Sequence, residues 1–578
     1  MESNINSKYY IANIEKAHFA GEATLPNSIP SISNFVGRED YLAELRDENG
    51  TRCFVLHGTG GVGKTAMALQ FAGEIADEYE AKVYVEMNGM SENPLSARGA
   101  MFDVVRQFER EIPADISDAQ LKELFVQKVQ NQPTLIVLDN AANKESVESL
   151  KQTKACLIIT SRHSFVLTGG KSKQIFKMSP EDARKLLFEI AGEERFDGRA
   201  DELANLAGYL PMALKPLASI LAEDDLETVA DLINRYRDKK ELLKERVSDY
   251  DDLTIEASFG LSYDKLSDEM KEHWRRLSVL PADFDEAAIT SVLDISADKA
   301  RETQKQLRRF SLLEVNPETK RFNLHDLVRV FTDAKLDDDE RFQTQFLHAK
   351  HYASILITAE RMKTDRQENH FANALKLIDT EWSNITAGQK WTAENFEKDN
   401  RIAELCTDYC GYARDFTTLR LNPRQDIKWL EIDLMAAQSV NNRQVEGNSL
   451  GNLGIAYNRL GEYRKAIDYH QQSLAISREI GDRSVEGSSL GNLGLAYQSL
   501  GEYRKAIDYH EQSLAISREI GDRSVEGNSL VNLGLDYHSL GEVENACGLW
   551  KEALAILEAI ESPNAVFLRR LIEENCPS

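Results

Sequence analysis

Apolar runs and amphipathic segments alternate along the first third of the chain. Residues 53–56, 135–138 and 157–159 are uninterrupted apolar runs, which are typical of buried parallel strands, and residues 82–87 form a further strand candidate. Between them, residues 95–111 have the apolar period of a helix. Because parallel strands need crossover connections, this alternation predicts a doubly wound parallel sheet.

A complete phosphate-binding motif follows the first apolar run. Residues 58–65 read GTGGVGKT and fit G-x-x-x-x-G-K-[ST], and an apolar helical pattern comes next. The glycines let backbone N–H groups face a polyphosphate, and the helix adds the positive end of its dipole. We expect Lys64 to reach the β- and γ-phosphates and the Thr65 hydroxyl to ligate Mg²⁺. The candidate nucleotide-binding residues here are Gly58, Gly60, Gly61, Val62, Gly63, Lys64, Thr65 and Ala66.

Two further charged residues stand at the ends of predicted strands. Asp139 ends the run at 135–138, where a carboxylate can hold Mg²⁺ through water. Arg162 ends the strand that includes 157–159. Parallel strands deliver such residues to the same edge as the phosphate loop. Lys64, Asp139 and Arg162 are therefore the candidate catalytic residues, and Thr65 and Asp139 the candidate metal ligands.

The last part of the chain repeats itself. Residues 445–484 and 485–524 differ at only five of 40 positions, and a diverged third copy covers 525–564. Each copy has small residues that let two antiparallel helices approach closely, and no single pair buries its own apolar face. Stacking into an α-solenoid is therefore predicted. The third copy adds Trp550, which suits an end cap.

Charge and cysteine content narrow the function classes. With 69 basic and 95 acidic residues the formal charge is −26, which argues against a direct nucleic-acid or anionic-membrane surface. The six cysteines are sparse, and reduced thiols in a cytoplasm fit them best. Cys406 and Cys410 are expected to pack in a helical core. No apolar run approaches the ~18 residues of a membrane span, and no signal peptide is predicted.

Six stretches, in order, resemble motifs of the NB-ARC class of signalling ATPases. They are FVGRE at 35–39, the phosphate loop, the Asp139 strand, the Arg162 strand, GYLPMAL at 208–214 and LHDLV at 324–328. The resemblance covers roughly residues 35–336. It implies that Val36 and Arg38 lie near the adenine and that Pro211 packs on it. It also implies that Arg162 senses the γ-phosphate and that His325 donates to the β-phosphate of ADP. Taken alone, His325 would instead be expected as a helix cap or a core residue.

One position departs from the family pattern. Many members have a second acid after the acid corresponding to Asp139, and that second acid orients the attacking water. This chain has Asn140, whose amide cannot take up a proton at neutral pH. The expected activity is therefore a slow ATPase at most.

The predicted fold class is multidomain. An α/β P-loop NTPase domain, a helical domain and a winged-helix domain precede an α-solenoid whose repeats resemble the tetratricopeptide signature, with a period of 40 rather than 34 residues. The predicted boundaries are 1–34 for a short signalling segment and linker, 35–178 for the nucleotide-binding domain, 179–248 for the helical domain, 249–336 for the winged helix, 337–444 for a helical linker with degenerate repeats, 445–566 for the repeats and 567–578 for a tail.

The function that these features predict is a cytoplasmic, nucleotide-dependent signalling switch using ATP, ADP and Mg²⁺. ADP holds the resting state, and a protein ligand or other trigger at the repeats lets ATP bind and a homo-oligomer form. Residues 1–24 resemble short amyloid-type signalling motifs and would recruit an effector protein; a flexible tail or an added edge strand is the alternative. The family implies a role in bacterial immunity or cell death. The alternatives are a transcription-linked regulatory ATPase acting through a partner and a non-hydrolysing scaffold.

Overall fold

The structure is a computed structural model, and it describes most of the chain. The described residues are 25–32, 35–47, 52–89, 94–109, 112, 116–152, 154–244, 249–364, 370–421, 423–562 and 564–576. The predicted signalling segment at residues 1–24 lies outside them.

A five-stranded parallel sheet holds the first third of the chain. Its order is β2-β3-β4-β1-β5, so that β4 lies between the strand of the phosphate loop and the strand of Asp139. The strands are β1 Cys53–His57, β2 Ala81–Glu86, β3 Thr134–Ala141, β4 Cys156–Ser161 and β5 Lys171–Gln174.

Helices cover both faces of this sheet, because successive strand residues point to opposite sides. In β1, Phe54 and Leu56 enter one apolar core, whereas Cys53 and Val55 enter the other. The helices of this region are α1 Glu39–Asp47, α2 Lys64–Ile75, α3 Ala97–Phe108 and α4 Asp118–Gln130. The doubly wound sheet predicted from the apolar runs is confirmed.

The predicted linker before this domain is attached to the sheet. Asn27 pairs with Lys82 as a parallel bridge beside β2. The Ser28 amide donates to the Lys82 carbonyl at 2.9 Å, and the Lys82 amide donates to the Pro26 carbonyl at 2.8 Å. These residues therefore extend the free edge of β2.

The next described elements are helical, with one small hairpin. The Ser179 hydroxyl caps the first helix by accepting from the Asp182 amide, and Pro180 is its first residue, where proline is favoured. The helices are α5 Pro180–Ala191, α6 Ala200–Leu206, α7 Pro211–Glu223, α8 Val229–Leu243, α9 Tyr250–Lys265, α10 Asp268–Arg276, α11 Glu286–Leu293, α12 Ala297–Arg309 and α13 Asp326–Asp333, and the hairpin strands are β6 Glu314–Val315 and β7 Phe322–Asn323.

Helices that pack on their neighbours in sequence make up most of the remaining described residues. They are α14 Asp338–Thr364, α15 His370–Asn395, α16 Asn400–Arg420, α17 Pro423–Ser439, α18 Arg443–Arg459, α19 Tyr463–Ile480, α20 Arg483–Ser499, α21 Tyr503–Ile520, α22 Arg523–Ser539, α23 Val543–Ala559 and α24 Asn564–Asn575. The predicted fold class, an α/β region followed by helices and C-terminal repeats, is confirmed. Within the described residues, no helix combines the length and apolar character needed to span a membrane.

The cysteines require a correction. Cys547 and Cys576 are joined by a disulfide, so the prediction that all six thiols are reduced is wrong for this pair. The two residues are 29 positions apart, and this separation by itself does not indicate a disulfide. Packing of α24 on α23 brings them together. Cys406 and Cys410 are free and buried, as predicted.

Candidate functional site

The phosphate loop turns through backbone conformations that glycine favours. Gly61 and Gly63 have φ values of 70° and 92°, in the left-handed region. A Cβ added at Gly61 would lie 2.9 Å from the Met212 Cβ, at the start of α7. Gly63 caps α2 without a side-chain hydrogen bond. The loop therefore presents the positive end of α2 while packing closely on the following helical region.

Lys64 follows the glycine-rich loop, and its side chain folds back onto the backbone of that loop. Its Nζ donates to the carbonyls of Gly58 and Thr59, at 3.0 and 2.9 Å. Burial, followed by the positive charge of Arg162, lowers the Lys64 pKa to about 8. The amine thus sits in a low-solvent, positively charged place that suits a polyphosphate.

Thr65 and Asp139 are in direct contact. The Thr65 hydroxyl lies 2.9 Å from Oδ1 and 3.0 Å from Oδ2 of Asp139. Asp139 is 5% exposed, and it also accepts from the Thr160 hydroxyl. Burial raises its pKa, although the hydroxyl donors oppose that change. The two predicted metal ligands are therefore adjacent, as one octahedral Mg²⁺ would require.

Asn140 stands where many family members have a second acid that orients the attacking water. In this chain its side chain is bonded to another protein residue instead. The register of β3 on β4 shifts between Leu138 and Ala141, and Asn140 has a φ of 59°. Such a bulge redirects side chains. The Asn140 Nδ2 donates to Oδ2 of Asp326 at 3.1 Å. The amide thereby joins the sheet to the first residue of α13.

His325 is the N-cap of α13. Its Nδ1 accepts the Leu327 amide at 3.2 Å, and burial lowers its pKa, which favours the neutral ring. In a neutral ring whose Nδ1 accepts, Nε2 carries the hydrogen and can donate. The capping role and the predicted phosphate contact are therefore compatible.

The remaining predicted residues surround the same loop. A Cβ added at Gly60 would lie 3.4 Å from the Arg162 Cζ and 3.5 Å from the Leu327 Cδ1. One added at Gly63 would lie 3.6 Å from the Arg38 Nη1 and 3.9 Å from the Pro211 Cγ. Arg162, Arg38, Pro211 and the start of α13 thus meet at the loop.

Arg38 has a buried donor without a partner. Its Nη2 donates to the carbonyls of Val62 and Phe176, at 2.6 and 3.1 Å. Its Nη1 is buried and has no hydrogen-bond partner among the described residues. Burial lowers the pKa of this guanidinium. Val36, two residues earlier, is half-buried against the apolar core that contains Phe54 and Leu56.

Sequence reasoning did not identify two residues beside this site. The Tyr84 hydroxyl lies 3.2 Å from Oε2 of Glu86 and 3.2 Å from Oδ2 of Asp139. Partial desolvation, followed by the negative charges of Asp139 and Asp326, raises the Glu86 pKa above its ordinary value, although part of the residue is exposed to solvent. Both residues lie in the predicted strand 82–87. The acidic residue near the end of that strand is the feature of the sequence that could have identified Glu86.

These features fit a magnesium nucleotide. The loop amides and Lys64 suit phosphate, and Thr65 with Asp139 provides two oxygen ligands. A group of three or more potential metal-ligating side chains does not occur among the described residues. Mg²⁺ commonly takes one or two protein ligands, with phosphate oxygens and water completing its shell.

Comparisons with known proteins agree with this architecture. Tetratricopeptide repeat models match residues 446–519 and 527–564. Residues of the chain are 28% identical over 336 positions to the regulatory protein AfsR of Streptomyces griseus, covering 55% of this chain and 34% of that protein. They are 23% identical over 338 positions to a putative disease resistance RPP13-like protein of Arabidopsis thaliana, covering 51% and 38%. The chain thus spans about a third of the length of these curated relatives.

A solved structure also matches the chain over most of its length. It is a signal transduction ATPase with numerous domains and a tetratricopeptide repeat sensor, from Pyrococcus horikoshii. It is 17% identical, has a TM-score of 0.39, and the match covers 93% of this chain and 92% of that one.

Proposed function

We propose that this chain, an NB-ARC-like signalling ATPase with C-terminal tetratricopeptide repeats, is a switch whose state is set by ADP or ATP. The observation that carries the proposal is the position of α13. Asp326 at its start is bonded to Asn140, and Leu327 lies close to the phosphate loop. A nucleotide in the loop therefore contacts two regions that are far apart in sequence.

In the resting state, ADP is held between the phosphate loop and α13. Lys64 leaves the Gly58 and Thr59 carbonyls to pair with the phosphates, and His325 donates from Nε2 to the β-phosphate. Mg²⁺, when bound with the nucleotide, neutralises phosphate charge, and Thr65 and Asp139 hold it. Arg162 detects the γ-phosphate when ATP binds, and its place beside Gly60 supports this role. Both charge and hydrogen bonding then favour closure around ADP.

Activation separates these regions. A protein ligand at the repeats destabilises the closed arrangement, ADP leaves, and ATP binding allows a homo-oligomer to form. The N-terminal segment of each copy then recruits an effector protein. A role in defence or cell death is part of the proposal, and the similarity to a putative disease resistance protein supports the defence role. A regulatory ATPase acting through a partner is the second candidate, and the similarity to AfsR favours it.

The nucleotide carried by the purified full chain tests the switch. Denaturation and chromatography should release ADP close to one equivalent, and Lys64→Ala should release little. Lys154→Ala is a suitable control, because Lys154 is an exposed lysine of the same domain. A wild-type chain that neither carries nor binds a nucleotide would contradict the proposal.

A further inference from the structure

We infer that Glu86 is the carboxylate that activates the attacking water when ATP is hydrolysed. This inference rests on the proposed function, since it concerns the same nucleotide site. It assigns to β2 the role that Asn140 cannot fill on β3.

Strand pairing brings Glu86 to the site. In the parallel register of β2 and β3, Glu86 is opposite Asp139. Both residues stand at the carboxyl edge of the sheet, which is the edge of the phosphate loop. A carboxylate at this place is beside the candidate metal ligand, but on the next strand.

Tyr84 ties the two carboxylates into one arrangement. Its hydroxyl is 3.2 Å from an oxygen of each, so the Glu86 and Asp139 carboxylates lie within two hydrogen-bond lengths of one another. The other Glu86 oxygen accepts the Asn88 amide at 3.2 Å. The carboxylate is therefore oriented by contacts on both of its oxygens.

Asn140, the residue on β3 that replaces the second acid, is already hydrogen-bonded to another residue. The Asn140 amide donates to Asp326, and the β3 bulge turns this residue toward α13. Glu86, by contrast, is open to solvent, so that water can reach it and a proton can leave. Access, orientation and proximity to Asp139 thus converge on Glu86.

The reaction is hydrolysis of the terminal phosphate bond of ATP. Glu86, in its ionised form, accepts a proton from water while the water oxygen bonds to the γ-phosphorus of ATP. The bond between that phosphorus and the bridging oxygen breaks, which leaves ADP and phosphate. Glu86 then returns its proton to solvent.

Single-turnover hydrolysis and nucleotide binding, measured on the full chain, test this role. Glu86→Gln should bind ADP within about twofold of the wild type, because the loop and Lys64 are intact. It should hydrolyse loaded ATP about a hundredfold more slowly, as loss of a general base predicts. Purified Glu86→Gln should accordingly retain ATP where the wild type retains ADP. Tyr84→Phe should show a smaller slowing, because it removes only an orienting hydroxyl.

Glu80→Gln is the matched control, since it removes one exposed acid just before the opposite end of β2. It should leave both binding and turnover unchanged. Normal binding with wild-type turnover in Glu86→Gln would overturn the role of Glu86 and leave the proposed switch intact. Loss of ADP binding in Glu86→Gln would also overturn it, as would a wild type that binds but never hydrolyses ATP. Failure of the wild type to bind any nucleotide would remove both proposals.

Discussion

The Asn140 amide donates a hydrogen bond to the Asp326 carboxylate, with 3.1 Å between Nδ2 and Oδ2. The two residues are 186 positions apart. Arg329 donates to the other Asp326 oxygen at 2.9 Å, so this carboxylate is held from two sides. The bond connects the bulge of β3, beside the candidate metal ligands, to the helix that His325 caps.

Replacing Asn140 by Asp should therefore open this contact. Two carboxylates would face one another where an amide now donates, and a hydrogen bond to a charged group contributes about 1.5–3 kcal/mol. We expect ADP to dissociate roughly ten- to a hundredfold faster, measured by displacement of a fluorescent ADP analogue. Asn131→Asp, at an exposed asparagine after α4, is the control. An unchanged dissociation rate would show that the bond does not restrain the nucleotide.

Arg106 and Asp379 form a second contact between distant regions. The Arg106 guanidinium donates to Asp379 at 3.0 Å and lies 5.8 Å from the Trp382 ring centroid. Arg106→Ala should loosen α15 from the sheet domain, seen as faster amide hydrogen exchange in α15. The free energy of opening α15 should fall by about 0.5–2 kcal/mol, because the ion pair is partly desolvated and Arg106 also contacts the Trp382 ring.

Arg98→Ala is the control for that measurement. Arg98 pairs with Asp118 at 2.6 Å, within the sheet domain and away from α15. Exchange in α15 that responds equally to both substitutions would contradict a specific contact.

Close packing inside the repeats gives a stability prediction. A Cβ added at Gly494 would lie 2.4 Å from the ring of His510, which is completely buried. Gly494→Ala should destabilise the repeats by about 1–3 kcal/mol, because overpacking forces the helices apart. Gly548, inside α23, has no atom within 4 Å of an added Cβ. Gly548→Ala should instead stabilise by about 0.5–1 kcal/mol.

Calorimetric melting of the full chain would compare these two glycine variants. The transition assigned to the repeats should move in opposite directions. A shift of the same sign in both variants would indicate that backbone propensity, rather than the His510 contact, governs these positions.

Asp536 makes the stability of the repeats depend on pH. It is buried where the first two copies have Ala456 and Ala496, and burial raises its pKa to about 7. The folded chain therefore keeps this proton up to a higher pH than the unfolded chain, whose carboxyl has the ordinary value of 3.8. Stability from this group is complete below about pH 4 and is lost as the pH rises through 7.

Asp536→Ala should accordingly raise the melting temperature of the repeats at pH 8 more than at pH 5. Asp508→Ala, at an exposed position of α21, should leave the pH profile unchanged. An equal effect of Asp536→Ala at both pH values would contradict the role of the buried charge.

Much of the site could be anticipated from local sequence. The glycine spacing before Lys64, and the acid ending the run at 135–138, identify a phosphate loop and a candidate metal ligand, because each depends on a short segment. Glu86 lay in a predicted strand, but its register opposite Asp139 depends on how two strands pair. The partner of Asn140 could not be anticipated, because Asp326 reaches it only after the helical regions have packed.

The sequence by itself determined the alternation of helices with four of the strands in the first third of the chain, the repeats, and the chemistry available at the phosphate loop. Periodicity and short motifs are local properties of the chain, so they can be recognised without knowledge of the fold. Only the tertiary structure decided that Asn140 bonds Asp326, that Tyr84 links Glu86 to Asp139, and that Cys547 meets Cys576. Such contacts join residues whose separation along the chain carries no signal, and they exist only once the apolar cores are packed.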